Sequence, residues 1–168
     1  MKGDRFEIES EPIVIRHLES DEEARACARI MADSEPWITL RRDYDSSLAL
    51  IRDPRREVYV ALPAGGVEVL GFIIVVMQGA FVGYIQSIAA REDWRGRGLG
   101  TRLIAFAESR IFRETPNVFI CASSFNERAR ALYARLGYET VGELRDYVVS
   151  GASELLMRKS LGPLSSPR

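Results

Sequence analysis

The segment "WRGRGLGTRL", from Trp94 to Leu103, places glycines at alternate positions among arginines, directly before residues with helical spacing. A glycine-rich turn that enters a helix offers unpaired backbone N–H groups at the positive end of the helix dipole. These groups favour an anion, especially a phosphate, and glycine lets that anion approach the backbone closely. The segment is therefore a candidate phosphate-binding site.

Spacing separates three phosphate-binding patterns at this segment. A dinucleotide fingerprint that begins at Gly96 requires a glycine where the chain has Thr101. A Walker A loop requires a Gly-Lys pair, and the sequence contains none. The third pattern is an arginine, two residues, a glycine, one residue and a glycine. Arg95, Gly98 and Gly100 satisfy it.

Here the sequence resembles the GNAT superfamily of acyl-CoA-dependent N-acetyltransferases. The family's pyrophosphate loop has the form Arg/Gln-x-x-Gly-x-Gly/Ala after the central strand, and "RGRGLG" fits it. A second segment, "NERARALYARLGYE", is similar to the family's Asn-x-x-Ala-x-x-Leu-Tyr-x-x-x-Gly-Phe/Tyr pattern. The matching residues are Asn126, Ala129, Leu132, Tyr133, Gly137 and Tyr138. The resemblance covers Val58 to Lys159, and before Val58 only the order of elements supports it.

The resemblance implies that the chain binds acetyl-CoA as a cosubstrate. Backbone amides from Gly96 to Thr101 would hold the pyrophosphate, and flanking arginines would add positive charge. The end of the central strand would pair with the pantetheine arm, as if the arm were an extra strand beside a splayed sheet. Asn126 would touch the arm, and it is an equally good helix cap. The implied cofactor-binding residues are Ile88, Ala89, Ala90, Arg95, Gly96, Arg97, Gly98, Leu99, Gly100, Thr101, Asn126 and Tyr133.

Acetyl transfer from a thioester to an amine requires a neutral amine, an oxyanion site and release of a thiolate. The resemblance places Tyr133 at the general-acid position near the CoA sulfur, and the alternative is a core tyrosine on the apolar helix face. A phenol of pKa about 10 protonates a thiolate of pKa about 8.5 at a cost of about 2 kcal/mol. We therefore expect Tyr133 to stabilise the leaving sulfur by a hydrogen bond. The expected oxyanion donor is a backbone N–H near Ile88.

The general base is not evident from the sequence. The strand "YIQSIAA" contains no carboxylate, and "ICASSF" has Cys121 where the branch of the family that acetylates peptide amino termini has a glutamate. Gln86 or Ser87 can position a water molecule in place of a side-chain base. The candidate carboxylates are Glu35, Asp43, Asp45, Glu143, Asp146 and Glu154.

The expected acceptor is a primary amine of a small molecule or a peptide. Trp37, Arg41, Arg42 and Tyr44 lie where the family places its acceptor-covering segment, and they are equally compatible with a solvated helix and a core tryptophan. His17, on the first strand, is expected to be structural or on the surface. The alternative hypothesis, from a different functional class, is a non-catalytic module that binds or senses acyl-CoA. A homodimer through "GFIIVV" and the last strands is a further hypothesis.

The composition of the chain restricts which other classes of protein it can belong to. The chain has 168 residues, 46% of them hydrophobic, and a formal net charge of −1, so no global attraction to nucleic acid or an anionic membrane is expected. Two separated cysteines and one histidine indicate neither a disulfide framework nor a metal site. The amino terminus lacks the apolar segment of a signal peptide, and "VLGFIIVVM" is too short to cross a bilayer. We therefore expect a cytoplasmic protein.

The elements that must position these residues follow from periodicity. Residues 1–160 are predicted to form a single domain, and 161–168 a flexible tail. The strand before the glycines and "NVFICASS" are predicted to be parallel neighbours, and most other neighbours antiparallel. The predicted fold is α+β, or mixed α/β, with a mostly antiparallel sheet of six or seven strands flanked by helices. The predicted strands are "IVIRHL", "EVYVAL", "VEVLGFIIVVM", "QGAFVGYIQSIAA", "NVFICASS", "YETVGELRDYVV" and "ELLMRKSL".

Overall fold

The computed structural model describes residues 12–165, and within them seven strands form one sheet. The strands are β1 (Ile13–His17), β2 (Glu57–Pro63), β3 (Gly71–Val76), β4 (Tyr84–Ala90), β5 (Asn117–Ser123), β6 (Glu139–Arg145) and β7 (Ser153–Ser160). The helices are α1 (Asp21–Ala32), α2 (Tyr44–Ile51), α3 (Leu99–Ile111) and α4 (Glu127–Arg135).

The strand order across the sheet is β1-β2-β3-β4-β5-β7-β6. Every neighbouring pair is antiparallel except β4 and β5, which are parallel and are connected through α3. The predicted α+β class, the mostly antiparallel sheet and the parallel pair are thereby confirmed. The last hairpin does not simply extend the sheet, because β7 lies between β5 and β6.

Parts of the sequence predictions lie outside the described residues. These are residues 1–11, which include the amino-terminal segment examined for a signal peptide, and the last part of the predicted tail, residues 166–168. Residues 161–165, the described part of that tail, form neither helix nor strand. Over residues 12–165, no helix is both long and apolar enough to cross a membrane.

Two apolar cores lie on opposite faces of the sheet. Successive residues of β2 alternate between them: Val58 and Val60 face the core formed with α1 and α2, whereas Tyr59 and Ala61 face the core formed with α3 and α4. Burial on both faces explains why β2 and β3 are almost continuously apolar in sequence. These central strands form the rigid base from which β4 extends toward the glycine segment.

Two strands are shorter than periodicity predicts. The run "VEVLGFIIVVM" becomes a strand only at Gly71, and the next predicted strand begins only at Tyr84. Gly79 and Gly83 both have positive φ, 98° and 84°, in the segment that joins the two strands. A left-handed backbone conformation does not continue a strand, so the connection is a longer loop than the predicted Gln78-Gly79 turn.

The pairing of β4 with β5 is short and determines the shape of the site. It comprises Tyr84 with Phe119 and Ile85 with Ile120, after which the two strands diverge. On its other edge β4 stays paired with β3 as far as Ala90, with a β-bulge that leaves Gln86 without an opposite residue. The end of β4 therefore has one edge that no described strand covers, as the expected splayed sheet requires.

Gly83 directly precedes β4, and its carbonyl oxygen accepts the Phe119 N–H at 2.9 Å. A Cβ at Gly83 would lie 2.7 Å from the Asn117 carbonyl oxygen, so Gly83→Ala adds a clash to the strain of a positive φ. We expect it to lower the free energy of unfolding, measured with urea, by about 2 to 4 kcal/mol. Gly79→Ala, with positive φ but open space, should cost only about 1 kcal/mol, and equal losses would contradict the clash.

Candidate active site

A cleft of about 1220 Å³ opens where β4 and β5 diverge. Its walls come from the end of β4, the glycine segment, α4, the segment between α1 and α2, and the start of β7. It brings together all of the predicted cofactor-binding residues except Arg97. The residues brought together are Ile88, Ala89, Ala90, Arg95, Gly96, Gly98, Leu99, Gly100, Thr101, Asn126 and Tyr133.

The glycine segment forms the turn into α3. Gly96 and Gly98 have φ of 76° and 80°, a left-handed conformation that side chains other than glycine rarely adopt. A Cβ added at either residue would meet no described atom within 4 Å, so backbone conformation requires these glycines and the space in front of them is open. Gly98 is the N-cap of α3 and supplies no side-chain acceptor, and the first turn contains no acidic residue. The positive end of this helix is thus available to an anion.

The two flanking arginines have different partners. The Arg95 guanidinium donates to the Ser34 hydroxyl at 2.7 Å and to the Ala90 carbonyl at 3.3 Å, which ties the turn to the end of α1 and to β4. The Arg97 guanidinium lies over the Trp94 ring, 5.1 Å from its centroid, outside the cleft lining. Arg95 therefore both positions the turn and brings charge to the cleft, whereas Arg97 does not line it.

Sequence reasoning missed two arginines of α4. Arg128 and Arg135 line the cleft, one near each end of the helix. Helical periodicity places both arginines off the apolar face of α4. Charged residues at such positions are usually solvated, so this pattern alone does not indicate a place in a cleft. Asn126 begins the same helix, and its side-chain oxygen accepts the Ala129 N–H at 3.2 Å. Asn126 therefore caps α4 and also lines the cleft, and the sequence left both possible.

Tyr133 is buried in α4, with 5% of its surface exposed, and it lines the cleft. Its ring packs against Tyr138, with 6.1 Å between centroids, and its hydroxyl has no hydrogen-bond partner within residues 12–165. Burial raises the pKa of this phenol well above its ordinary value, because the phenolate would be poorly solvated. Tyr133 is therefore a neutral hydrogen-bond donor over the physiological pH range.

Only two of the six candidate carboxylates, Glu35 and Glu154, line the cleft. Glu35 is exposed and accepts the Thr39 N–H at 3.3 Å. Glu154, on β7, is 7% exposed and accepts the Ser123 hydroxyl at 2.6 Å. Burial raises the pKa of Glu154, and the Ser123 hydrogen bond opposes part of that rise. The other four, Asp43, Asp45, Glu143 and Asp146, are exposed and lie outside the cleft lining.

The bulge residue Gln86 is fixed by a residue that sequence reasoning missed. The Arg56 Nε donates to the Gln86 side-chain oxygen at 2.6 Å, and Arg56 also forms an ion pair with Asp53. That oxygen is therefore already occupied by a donor. Ser87 is the other residue expected to position water. It is buried, and its side chain has no hydrogen-bond donor of this kind among the described residues.

Cys121 lies beside Glu154 on the same face of the sheet. Burial raises the pKa of its thiol, and the hydroxyl of Tyr84 donates to its sulfur. A neutral thiol that accepts a hydrogen bond is not an activated nucleophile. Cys121 and Ser123 are two residues apart on β5, so strand periodicity alone puts these two side chains on one face. It did not show that β7 would bring Glu154 beside them.

The described residues contain no group of three or more His, Cys, Asp or Glu side chains placed to hold a metal ion. His17, the single histidine, packs its ring against Tyr59 with centroids 4.2 Å apart, outside the cleft. Trp37 is 9% exposed, and its membership of the apolar core does not prevent it from lining the cleft. Trp37 is therefore a core tryptophan, and its role toward an acceptor stays a prediction.

The acetyltransferase (GNAT) family model matches residues 15–138. The chain therefore belongs to this family, whose members are acyltransferases, and the resemblance seen in the two sequence motifs is confirmed. The match includes both motifs, and it also covers α1 and the last part of β1, where the sequence alone offered only the order of elements.

Individual relatives agree with the family. The chain is 29% identical over 162 residues to the N-alpha-acetyltransferase RimI of Mycobacterium tuberculosis, covering 92% of this chain and 96% of that protein. It is 37% identical over 76 residues to an uncharacterized protein of Mycobacterium leprae, covering 45% of this chain but only 21% of that protein. A solved aminoglycoside 6′-N-acetyltransferase complexed with coenzyme A superposes with a TM-score of 0.72 at 18% identity, covering 92% and 99% of the two chains. That structural likeness supports the fold.

Proposed function

We propose that this protein transfers the acetyl group of acetyl-CoA to a primary amine by direct attack within a ternary complex. The observation that carries the proposal is the single cleft that is lined both by the glycine turn into α3 and by Tyr133 and Glu154. An anion site and proton-transfer groups in one cavity suit a reaction between a phosphate-bearing donor and an amine. The N-alpha-acetyltransferase relative and the coenzyme A complex of the aminoglycoside enzyme support the same activity.

The donor fits the open edge of β4. Backbone groups of Ile88 to Ala90 that face away from β3 have no strand partner among the described residues, so an amide-containing pantetheine arm can pair with them. The amides from Gly96 to Thr101, at the start of α3, then hold the pyrophosphate. The Leu99 side chain is buried in the core, so its backbone makes this contact. A backbone N–H near Ile88 serves as the oxyanion donor.

The transfer forms one bond and breaks another. The neutral amine nitrogen attacks the thioester carbon, a tetrahedral oxyanion forms, and the carbon–sulfur bond then breaks to release CoA thiolate. Burial of Tyr133 raises its pKa, which makes full proton transfer to sulfur less favourable than for a free phenol. Tyr133 therefore acts mainly by donating a hydrogen bond to the departing thiolate.

The acceptor is a primary amine that enters past the segment between α1 and α2. Trp37 and Arg42 from that segment line the cleft, and Tyr147 and Val148 come from the loop between β6 and β7. Arg41 and Tyr44 are not in the lining. One relative is named an N-alpha-acetyltransferase and one structural neighbour an aminoglycoside 6′-N-acetyltransferase, so peptides and aminoglycosides both belong in an acceptor screen. The cytoplasmic location and the homodimer stay predictions.

The decisive experiment measures CoA thiol release from acetyl-CoA with a panel of primary amines, containing peptides, aminoglycosides and polyamines. We expect release to depend on one class of amine and acetylated product to appear by mass spectrometry. Tight CoA binding without amine-dependent release across the panel would instead favour the non-catalytic acyl-CoA-binding module.

A substitution at Gly100 tests the donor site separately. A Cβ there would lie 3.7 Å from Leu132 Cδ2, an ordinary contact, so Gly100→Val should leave the free energy of unfolding within about 1 kcal/mol of the original. Its side chain would occupy the space proposed for the pyrophosphate, and we expect CoA affinity, measured by calorimetry, to fall at least about 10-fold. Ala105→Val, at an exposed position of α3 outside the cleft, is the matched control. Unchanged affinity in the folded Gly100→Val variant would refute this mode of binding.

Tyr133→Phe tests the leaving-group role. A hydrogen bond to a charged group contributes about 1.5 to 3 kcal/mol, so kcat should fall by about 10- to 100-fold. The ring and its packing are retained, so the KM for acetyl-CoA and the free energy of unfolding should change little. Tyr138→Phe removes a hydroxyl from the neighbouring ring outside the cleft and should retain full kcat. A Tyr133→Phe variant with an unaltered kcat and pH profile would show that Tyr133 is only a core residue.

A further inference from the structure

We propose that Glu154 is the carboxylate that binds the ammonium group of the acceptor and takes its proton before attack, with Ser123 as its positioning residue. This role rests on the proposed acetyl transfer and identifies the group that the sequence left open. It also specifies the acceptor as an amine that arrives in its protonated, cationic form.

Strand pairing places the two residues together. Ser123 and Glu154 are direct partners in the antiparallel register of β5 and β7, so their side chains leave the sheet on the same face. The Ser123 hydroxyl donates to Glu154 Oε1 at 2.6 Å, while Oε2 accepts no hydrogen bond within residues 12–165. One oxygen is thus held and the other is available to a ligand in the cleft.

Burial without a cation distinguishes Glu154 from the other carboxylates in residues 12–165. Acidic side chains are rarely this buried unless a cation or several donors compensate them. Glu23, the other buried glutamate of the described residues, has such a cation, because Arg16 lies 2.6 Å from it. Glu154 forms no ion pair with any residue of 12–165, and it lines the cleft. A cationic acceptor would supply the missing partner.

The groups that face Glu154 do not replace that cation. They are Tyr84 from β4, Cys121 and Ser123 from β5, and Leu144 as its partner on β6. The titratable members of this set are neutral near physiological pH, because burial raises the pKa of both Tyr84 and Cys121. None of these facing groups carries a positive charge that would compensate Glu154, so an acceptor ammonium would supply it.

The proton steps balance around this carboxylate. The ammonium loses one proton to the Glu154 carboxylate and becomes the neutral nucleophile. After attack, the nitrogen loses its second proton as the carbon–sulfur bond breaks, and the thiolate gains one proton. The products are an amide, CoA thiol and one proton released to water. The raised pKa of Glu154 brings its basicity closer to neutral pH, where general-base catalysis is most efficient.

Glu154→Gln tests the role with acetyl-CoA and the amine that the panel identifies. We expect kcat/KM at neutral pH to fall at least about 100-fold, because the variant must wait for the rare neutral amine. Its rate should then rise about tenfold per pH unit, so the deficit shrinks as the pH approaches the pKa of the amine. CoA affinity should be unchanged, and Glu139→Gln, at an exposed position of β6 outside the cleft, should match the original protein.

Ser123→Ala is the second variant and keeps the carboxylate. Loss of the donor to ionised Glu154 should raise the pKa of Glu154, which shifts the acid limb of the kcat/KM profile to higher pH and leaves the rate at alkaline pH close to the original. A purely structural effect would lower the rate without moving that limb. If the original protein acetylates an amine and both variants keep its rate and pH profile, this role is wrong although acetyl transfer stands. If the original protein acetylates no amine, the proposed function fails and this role fails with it.

Discussion

The parallel contact between β4 and β5 ends after Ile85 and Ile120, and the site depends on that divergence. A parallel strand pair that continued to Ala90 would fill the edge that an amide-containing ligand needs, and it would close the cleft between the glycine turn and β7. The divergence leaves backbone groups of β4 unpaired, which water or a ligand must satisfy. The central strands β2 and β3, buried on both faces, hold the sheet together while this part of it opens.

Local features keep the divergent geometry fixed. The bulge at Gln86 changes the direction of β4, and the hydrogen bond from Arg56 holds the bulge side chain. Farther along, Arg95 ties the glycine turn to Ser34 at the end of α1 and to the Ala90 carbonyl. An arginine that could serve only as a charge for phosphate is thus also part of the scaffold. The glycine turn, β4 and the segment that follows α1 are therefore connected through one side chain.

The sequence predicts the geometry of the glycine turn well because that turn is local. Gly96, Gly98 and the start of α3 lie within a few residues, and their backbone requirements leave a readable pattern. Periodicity likewise predicts the parallel pair of β4 and β5. It overextends β3 to Val67, because an apolar run does not reveal where hydrogen bonding to a neighbour begins. It also cannot show that β7 lies between β5 and β6, since strand order depends on contacts between distant segments.

The position of β7 between β5 and β6 explains why Glu154 was only one of six candidate carboxylates in the sequence. The central strands have Cys121 where a glutamate was expected, and six scattered carboxylates remained as candidates. In the fold, Glu154 lies across from Ser123 on the adjacent strand, on the face that Cys121 also occupies. A carboxylate supplied from the neighbouring strand can reach the same cavity as one supplied from β5 itself. The chemistry of such a site therefore follows from which side chains share a face, and a motif confined to one strand does not contain that information.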